Sequence, residues 1–339
     1  MLGSTEMFGP FAIFAMVLYV LLSFLGIMAN GFIVVVLGRE WVRSHQLSPC
    51  DMILISLGAS CFCLLWLGMI HDFYFFFLHH LQYSKEHAHQ YFGIYWDFLN
   101  STKFWFAAWL SVFFCVKTAN FTHPIFLWLK WRVNGLVPWF LLISLLISFI
   151  VTMLCFVGNN ALYQAFLQGT FSGNATYYSF TRNLEIHYFF PLKLITLSTP
   201  GSIFVVSIVL LITSLWRHSS KMQHSAHGTQ DFSTEAHTRA LKSLVSFLVR
   251  YAVSFLSLII DVTILSGFWS TWYWPWQIVI YMSTSIHPFI LILGNSHLEG
   301  ALMKLLLLPK TFWNDKRMSS PTEDMHLSLP YQGKDSTEK

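Results

Sequence analysis

Asn100, Lys103 and Lys117 stand inside an apolar and aromatic run from Trp96 to Arg132, WDFLNSTKFWFAAWLSVFFCVKTANFTHPIFLWLKWR. A lysine at the centre of a bilayer helix costs roughly 2.5–3.5 kcal/mol on insertion scales, so such residues face a protein interior or a wet cavity. At about 100° per residue, Trp96, Asn100, Lys103, Ala107 and Phe114 share one narrow stripe, with Lys117 at its edge. The stripe predicts a helix with a polar inside and a lipid outside. Entry near Tyr91 puts Trp96 about one and a half turns down and Lys103 near mid-membrane. An indole face and a carboxamide one turn apart can bind a small amphipathic molecule, the first supplying area and the second orientation.

Bond-making chemistry has no comparable support. Asp51, Asp72, Asp97 and Asp261 fall near different span ends, and no His/carboxylate pair has general-base or metal-ligand spacing at one bilayer level. Cys50, Cys61, Cys63, Cys115 and Cys155 lie in or beside apolar runs and read as small buried apolar residues, with no metal spacing or external disulfide. No enzyme, cofactor or metal site is expected.

The elements that position the stripe must cross a membrane. Of 339 residues, 55% are hydrophobic and 11% charged, far too apolar for an ordinary soluble domain. The formal charge of +4 comes from basic residues scattered singly between apolar runs, so nucleic acid is not an expected partner. Apolar stretches at about 8–38, 49–77, 91–121, 136–157, 187–215, 240–265 and 273–295 predict an all-α bundle of seven transmembrane helices. The first lacks a basic leading region and is too long for a signal peptide. Residues 1–312 form the receptor-like body; the segment 313–339 is polar, rich in Ser, Pro and charge, and is expected to be a disordered cytoplasmic tail.

Loop charge sets the expected orientation. Arg39, Arg43, Lys130, Arg132, Arg217, Lys221, Arg239 and Lys242 flank one side, joined by the lysines and arginine after the seventh span; Lys85 and Arg182 alone flank the other. The positive-inside rule puts the amino terminus outside and the carboxyl terminus in the cytoplasm. Sequons occur at Asn100, Asn120 and Asn174, and only Asn174, in the 158–186 loop, is expected to meet the luminal transferase. Pro200 and Pro288 each free a carbonyl inside a span, as a static bend or a point of flexure. Trp269, Trp272, Tyr273, Trp274 and Trp276 crowd the entry to the seventh span, as an interfacial aromatic belt or, second, a pocket rim.

A seven-span, amino-terminus-out chain with an intramembrane polar stripe is organised as a receptor, and particular motifs narrow it. LSVFFCVKTANFTHPIFLWLKWR from Leu110, LLITSLWRHSSKMQ from Leu210, STEAHTRALKSLVSF from Ser233 and HPFILILGNSHL from His287 resemble the third, fifth, sixth and seventh spans of type 2 taste receptors, the bitter-taste family. NGFIVVVLGREW from Asn30 and LSPCDMILISLGAS from Leu47 resemble its first two. The resemblance covers roughly residues 10–310. It implies a multi-pass plasma-membrane receptor, set in membrane lipid, for bitter small molecules and coupled to a gustducin-type heterotrimeric G protein.

On that resemblance, Trp96 and Asn100 match agonist-contacting positions of the third span, and Gln277 an outer seventh-span pocket position; Lys103 joins them from the stripe. Lys117, Asn120, His218, Lys221 and His237 fall in the inner motifs and are expected to serve G-protein coupling. Asn30, Arg250 and His287 are expected in a structural polar core. The family commonly has Tyr, Ser and Arg where Phe114, Pro288 and Cys61 stand here. Arg250 lies at the depth of Cys61 and is expected either to replace that arginine or to line the inner cavity. The rival reading, a channel or transporter, draws on the intramembrane cations, but no Asp/Glu ring, filter-like Gly run or half-helix pair accompanies them.

Overall fold

The computed structural model describes residues 10–77, 85–119, 123–167, 185–225, 249, 251–257, 260 and 273–318. Every element among them is helical. They are α1 (Pro10–Ser44), α2 (Pro49–Phe77), α3 (Lys85–Thr118), α4 (Pro124–Leu167), α5 (Phe190–Ser225) entered through a π-helical turn at Glu185–Phe189, α6 (251–257), α7 (Tyr273–Gly294) and α8 (Ser296–Met318). Among the described residues six helices, α1 to α5 and α7, are long and apolar enough to cross a membrane, and α6 falls within the predicted sixth span. The chain is an all-α seven-helix membrane bundle.

Local chemistry sets the helix ends. α1 stops where His45 takes a left-handed φ of 52° while its amide still bonds the Trp41 carbonyl at 2.9 Å. α2 starts on a serine N-cap: Ser48 Oγ accepts from the Asp51 amide at 3.2 Å and donates to the Asp51 carboxylate at 2.6 Å. Asn295 Oδ1 accepts from the amides of His297 and Leu298 and so separates α7 from α8. α4 outruns its predicted span at both ends. Lys130, Arg132 and Asn160 mark where a helix leaves lipid, and nothing in their backbone chemistry stops it. α8 likewise continues to Met318, through the first six residues of the stretch read as tail.

α3 is the post of the bundle. It packs against α2, α4 and α5, while α1 lies between α2 and α7, and α8 rests on α7 and α1. In its apolar window 72% of residues are buried, against 28% in α4. Every residue from Asn100 to Ala108 is buried, so the expected lipid-facing side is missing over this stretch, while Tyr95 and Phe114 on either side of it are exposed. Neighbours on three sides replace lipid. The stripe itself breaks at Phe114, which is 37% exposed.

Lipid tails are as apolar as leucine, so packing and interhelical hydrogen bonds must do what water exclusion does in a soluble core. Trp109 stacks on Phe140 at 4.3 Å and donates its indole N–H to Ser144 at 2.7 Å; Ser101 and Ser148 pair at 2.9 Å. These contacts fasten α3 to α4. Tyr251 of α6 stacks on Phe204 of α5 at 3.8 Å and meets Phe104 of α3 edge-on at 5.0 Å. Trp274, expected in an aromatic belt, is instead buried against Tyr19 of α1, because α7 turns that face inward.

Candidate functional site

Trp96 and Asn100 meet as their spacing on a helix requires. Asn100 is 3% exposed and donates its side-chain amide to the Trp96 carbonyl at 3.1 Å. The indole N–H of Trp96 crosses to α7 and donates to Tyr281 Oη at 2.9 Å. Tyr281 can come this close to α2 because Gly68 faces it: a methyl there would stand 2.6 Å from the hydroxyl. Tyr281 also packs on Tyr19, with ring centroids 5.8 Å apart. Trp96 is thus anchored from α7, and its orientation depends on α1, α2 and α7 together.

Both residues line a cleft between α3, α4 and α5, whose other walls are Asp97, Val151, Thr152, Cys155, Lys193, Thr196 and Leu197. Asp97 and Lys193 close it with an ion pair at 2.9 Å, each partner partly exposed. This pair escaped the sequence reading. Asp97 lies near a span end and Lys193 within the predicted fifth span, and opposite signs on two helices were the available signal. The cavity has a volume of about 30 Å³, room for one or two waters.

Lys103 lines a different cavity. Its ammonium, on a residue 8% exposed, donates to Thr284 Oγ1 at 3.2 Å and lies 4.9 Å from the Phe104 ring centroid. That cavity, of about 40 Å³, lies between α2, α3, α6 and α7 and includes Cys61 and His287. Among the described residues, Lys103 is a basic group that shares this cavity with Cys61. Gln277 is half-buried on α7, one turn after Tyr273, and lines neither cavity.

Two residues of the expected polar core have defined surroundings. Asn30 donates to the Gly26 carbonyl at 2.8 Å and the Thr284 carbonyl at 3.5 Å. Thr284 stands four residues before Pro288, whose missing N–H frees that carbonyl, so Asn30 supplies a donor where proline removed one. His287 is buried on the same stretch of α7. Nearer the start of α7, the Tyr273 hydroxyl donates to buried Asp72 at 2.7 Å, a second α2–α7 tie that sequence spacing did not reveal.

At the opposite end of α3, Lys117 is exposed, with its ammonium 5.7 Å from the Phe113 ring centroid. His218 and Lys221 lie on the last turns of α5, and their side chains are outside the described part. Asn120, Asn174, His237 and Arg250 also lie outside the described residues.

Comparison with known proteins fits this arrangement. The family pattern of taste receptor proteins (TAS2R) matches residues 7–310. Taste receptor type 2 member 41 of Rattus norvegicus is 55% identical over 307 residues, covering 91% of this chain and 99% of the relative. Member 41 of Pan troglodytes is 58% identical over 300 residues, 88% and 97% of the two chains. Member 60 of Homo sapiens is 40% identical over 292 residues, 86% and 92% of the two chains. A match of this length and identity, on a seven-helix membrane bundle with a polar cleft beside its most buried helix, places the chain in the type 2 taste receptor family.

Proposed function

We propose that this receptor detects bitter small molecules at the outer end of the bundle, through Trp96 and Asn100, and activates a gustducin-type heterotrimeric G protein at the plasma membrane. The observation that carries the reading is the cleft lined by Trp96, Asn100 and the Asp97–Lys193 pair in a chain of this family. Ligand pockets occupy about 300–1,000 Å³, so a cavity of about 30 Å³ must widen to admit an agonist. The Asp97–Lys193 pair spans the α3–α5 gap, and widening stretches or breaks it. Trp96 then transmits the change to α7 through Tyr281, the helix that also carries Pro288. Gln277 lies on that helix and enters the reading as a rim residue, contacted once the cleft opens.

The inner motifs supply the coupling face: Lys117, Asn120, His218, Lys221 and His237. Apolar side chains exposed along α1 and α4, among them Phe14, Phe24, Leu142 and Phe149, face membrane lipid.

Cells expressing the receptor with a gustducin-type G protein and loaded with a calcium indicator test the reading. At least one compound of a chemically broad bitter panel is expected to evoke a response, and Trp96→Ala or Asn100→Ala to weaken it about ten-fold at unchanged surface expression. Full responses in both variants would move the pocket elsewhere. Silence to the whole panel from receptor verified at the surface would remove the function.

A further inference from the structure

We propose that the cavity between α2, α3, α6 and α7 is a binding site for a small monovalent anion of the chloride type, held by Lys103. The site is separate from the agonist cleft and stands on four observations. First, the Lys103 side chain is buried yet forms no ion pair among the described residues, where the pairs Asp97–Lys193, His71–Asp72 and Glu40–His297 join other groups. Second, an ammonium has three N–H donors, and here one is engaged, by Thr284 Oγ1. A buried ammonium without a counter-charge is among the costliest arrangements a membrane interior can hold.

Third, the cavity beside Lys103 is roomy for its depth: about 40 Å³, or roughly three water-sized bodies. Fourth, four hydroxyls, of Tyr251, Ser254, Ser283 and Thr284, line it beside the His287 imidazole and the Cys61 thiol, and no carboxylate does so among the described residues. The Tyr251 hydroxyl is buried and has no hydrogen-bond partner among the described residues. Hydroxyl protons can turn toward an anion, and a cation beside Lys103 would be repelled. A monovalent anion matches the single ammonium, and the cavity holds a halide with a water or two.

Occupancy would link α3 to α6 and α7 through one ion, without a covalent step. The ion balances a charge that no carboxylate among the described residues pairs with at mid-membrane.

The test uses full-length receptor purified into lipid nanodiscs, its unfolding midpoint followed as potassium chloride replaces potassium gluconate at constant ionic strength. A saturable rise of about 2–5 °C is expected with chloride, reproduced by bromide and absent with gluconate throughout. Lys103→Met is expected to abolish the dependence, and Thr284→Val to raise the half-saturating chloride concentration by about three-fold or more. Equal midpoints in chloride and gluconate, a rise that never saturates, or a chloride effect that survives Lys103→Met would overturn the site. Should Lys103→Met yield no folded receptor, Thr284→Val decides: an unchanged half-saturating concentration refutes the proposal.

Discussion

Trp96 has two jobs that its ring can do at once: a face turned to the cleft and an N–H committed to Tyr281 at 2.9 Å. Losing a buried acceptor leaves the indole N–H unsatisfied and costs about 1–2 kcal/mol, roughly five- to thirty-fold in an equilibrium constant. Tyr281→Phe is therefore expected to lower agonist potency by that factor although Tyr281 lies outside the cleft walls. Trp96→Phe deletes the other half of the same bond. The double change should be no worse than the more damaging single one, since the bond can be removed only once. Concentration–response curves for the four receptors make the measurement, and strictly additive losses would show that the hydrogen bond carries no coupling. The sequence displayed Trp96 and Asn100 because their one-turn spacing is local. It concealed Tyr281 because a partner 185 residues away is fixed by how α7 is rotated, which hydropathy does not encode.

At the scale of elements, α1 and α7 approach closely at Gly26, where an added methyl would lie 2.7 Å from Ser285 Cα. Backbone cannot step aside as a side-chain tip can, so overpacking here should cost about 1–3 kcal/mol. Gly26→Ala is expected to reduce surface receptor several-fold by flow cytometry of an amino-terminal tag, while Gly38→Ala, with nothing within 4 Å, leaves it unchanged. Equal surface levels would show that the two helices separate without penalty. The same pair of helices shows how far a sequence reading reaches. Pro288 announced a freed carbonyl and Asn30 a buried polar group, and the two meet at Thr284. Depth along the bilayer was readable from helical rise, whereas azimuth was not. Lys103 shares a helical stripe with Trp96 and Asn100 yet lines another cavity, and the Asp97–Lys193 pair depends on how α3 and α5 are rotated toward each other. The span count was legible because twenty apolar residues have few other uses, and helix ends were less so because a helix outlasts the lipid it crosses.

At the scale of the whole molecule, the two ends of the bundle differ in kind. One collects Arg39, Arg43, Lys117, Lys130 and the Glu40–His297 pair; the other collects Trp96, Tyr273, Trp274 and Asp72. The translocation machinery retains basic loops on the cytoplasmic side, so the first end should face the cytoplasm and the Trp96 end should face out. Glycosylation reports this orientation directly, because the transferase acts only on luminal sequons. Of the three sequons, Asn100 is ruled out by packing: it is buried and its amide is bonded to the Trp96 carbonyl inside the bundle. In sequence Asn120 follows Lys117, the last basic residue of α3, whereas Asn174 falls between α4 and α5, in the stretch that the positive-inside rule expects outside. A glycan is therefore expected at Asn174 alone. Enzymatic deglycosylation of the wild-type receptor should increase its gel mobility, and Asn174→Gln should migrate at the deglycosylated position with or without the enzyme. Asn120→Gln should leave the wild-type shift intact. A shift that persists in Asn174→Gln and disappears in Asn120→Gln would invert the bundle, placing the Trp96 cleft on the cytoplasmic side where no extracellular agonist could reach it.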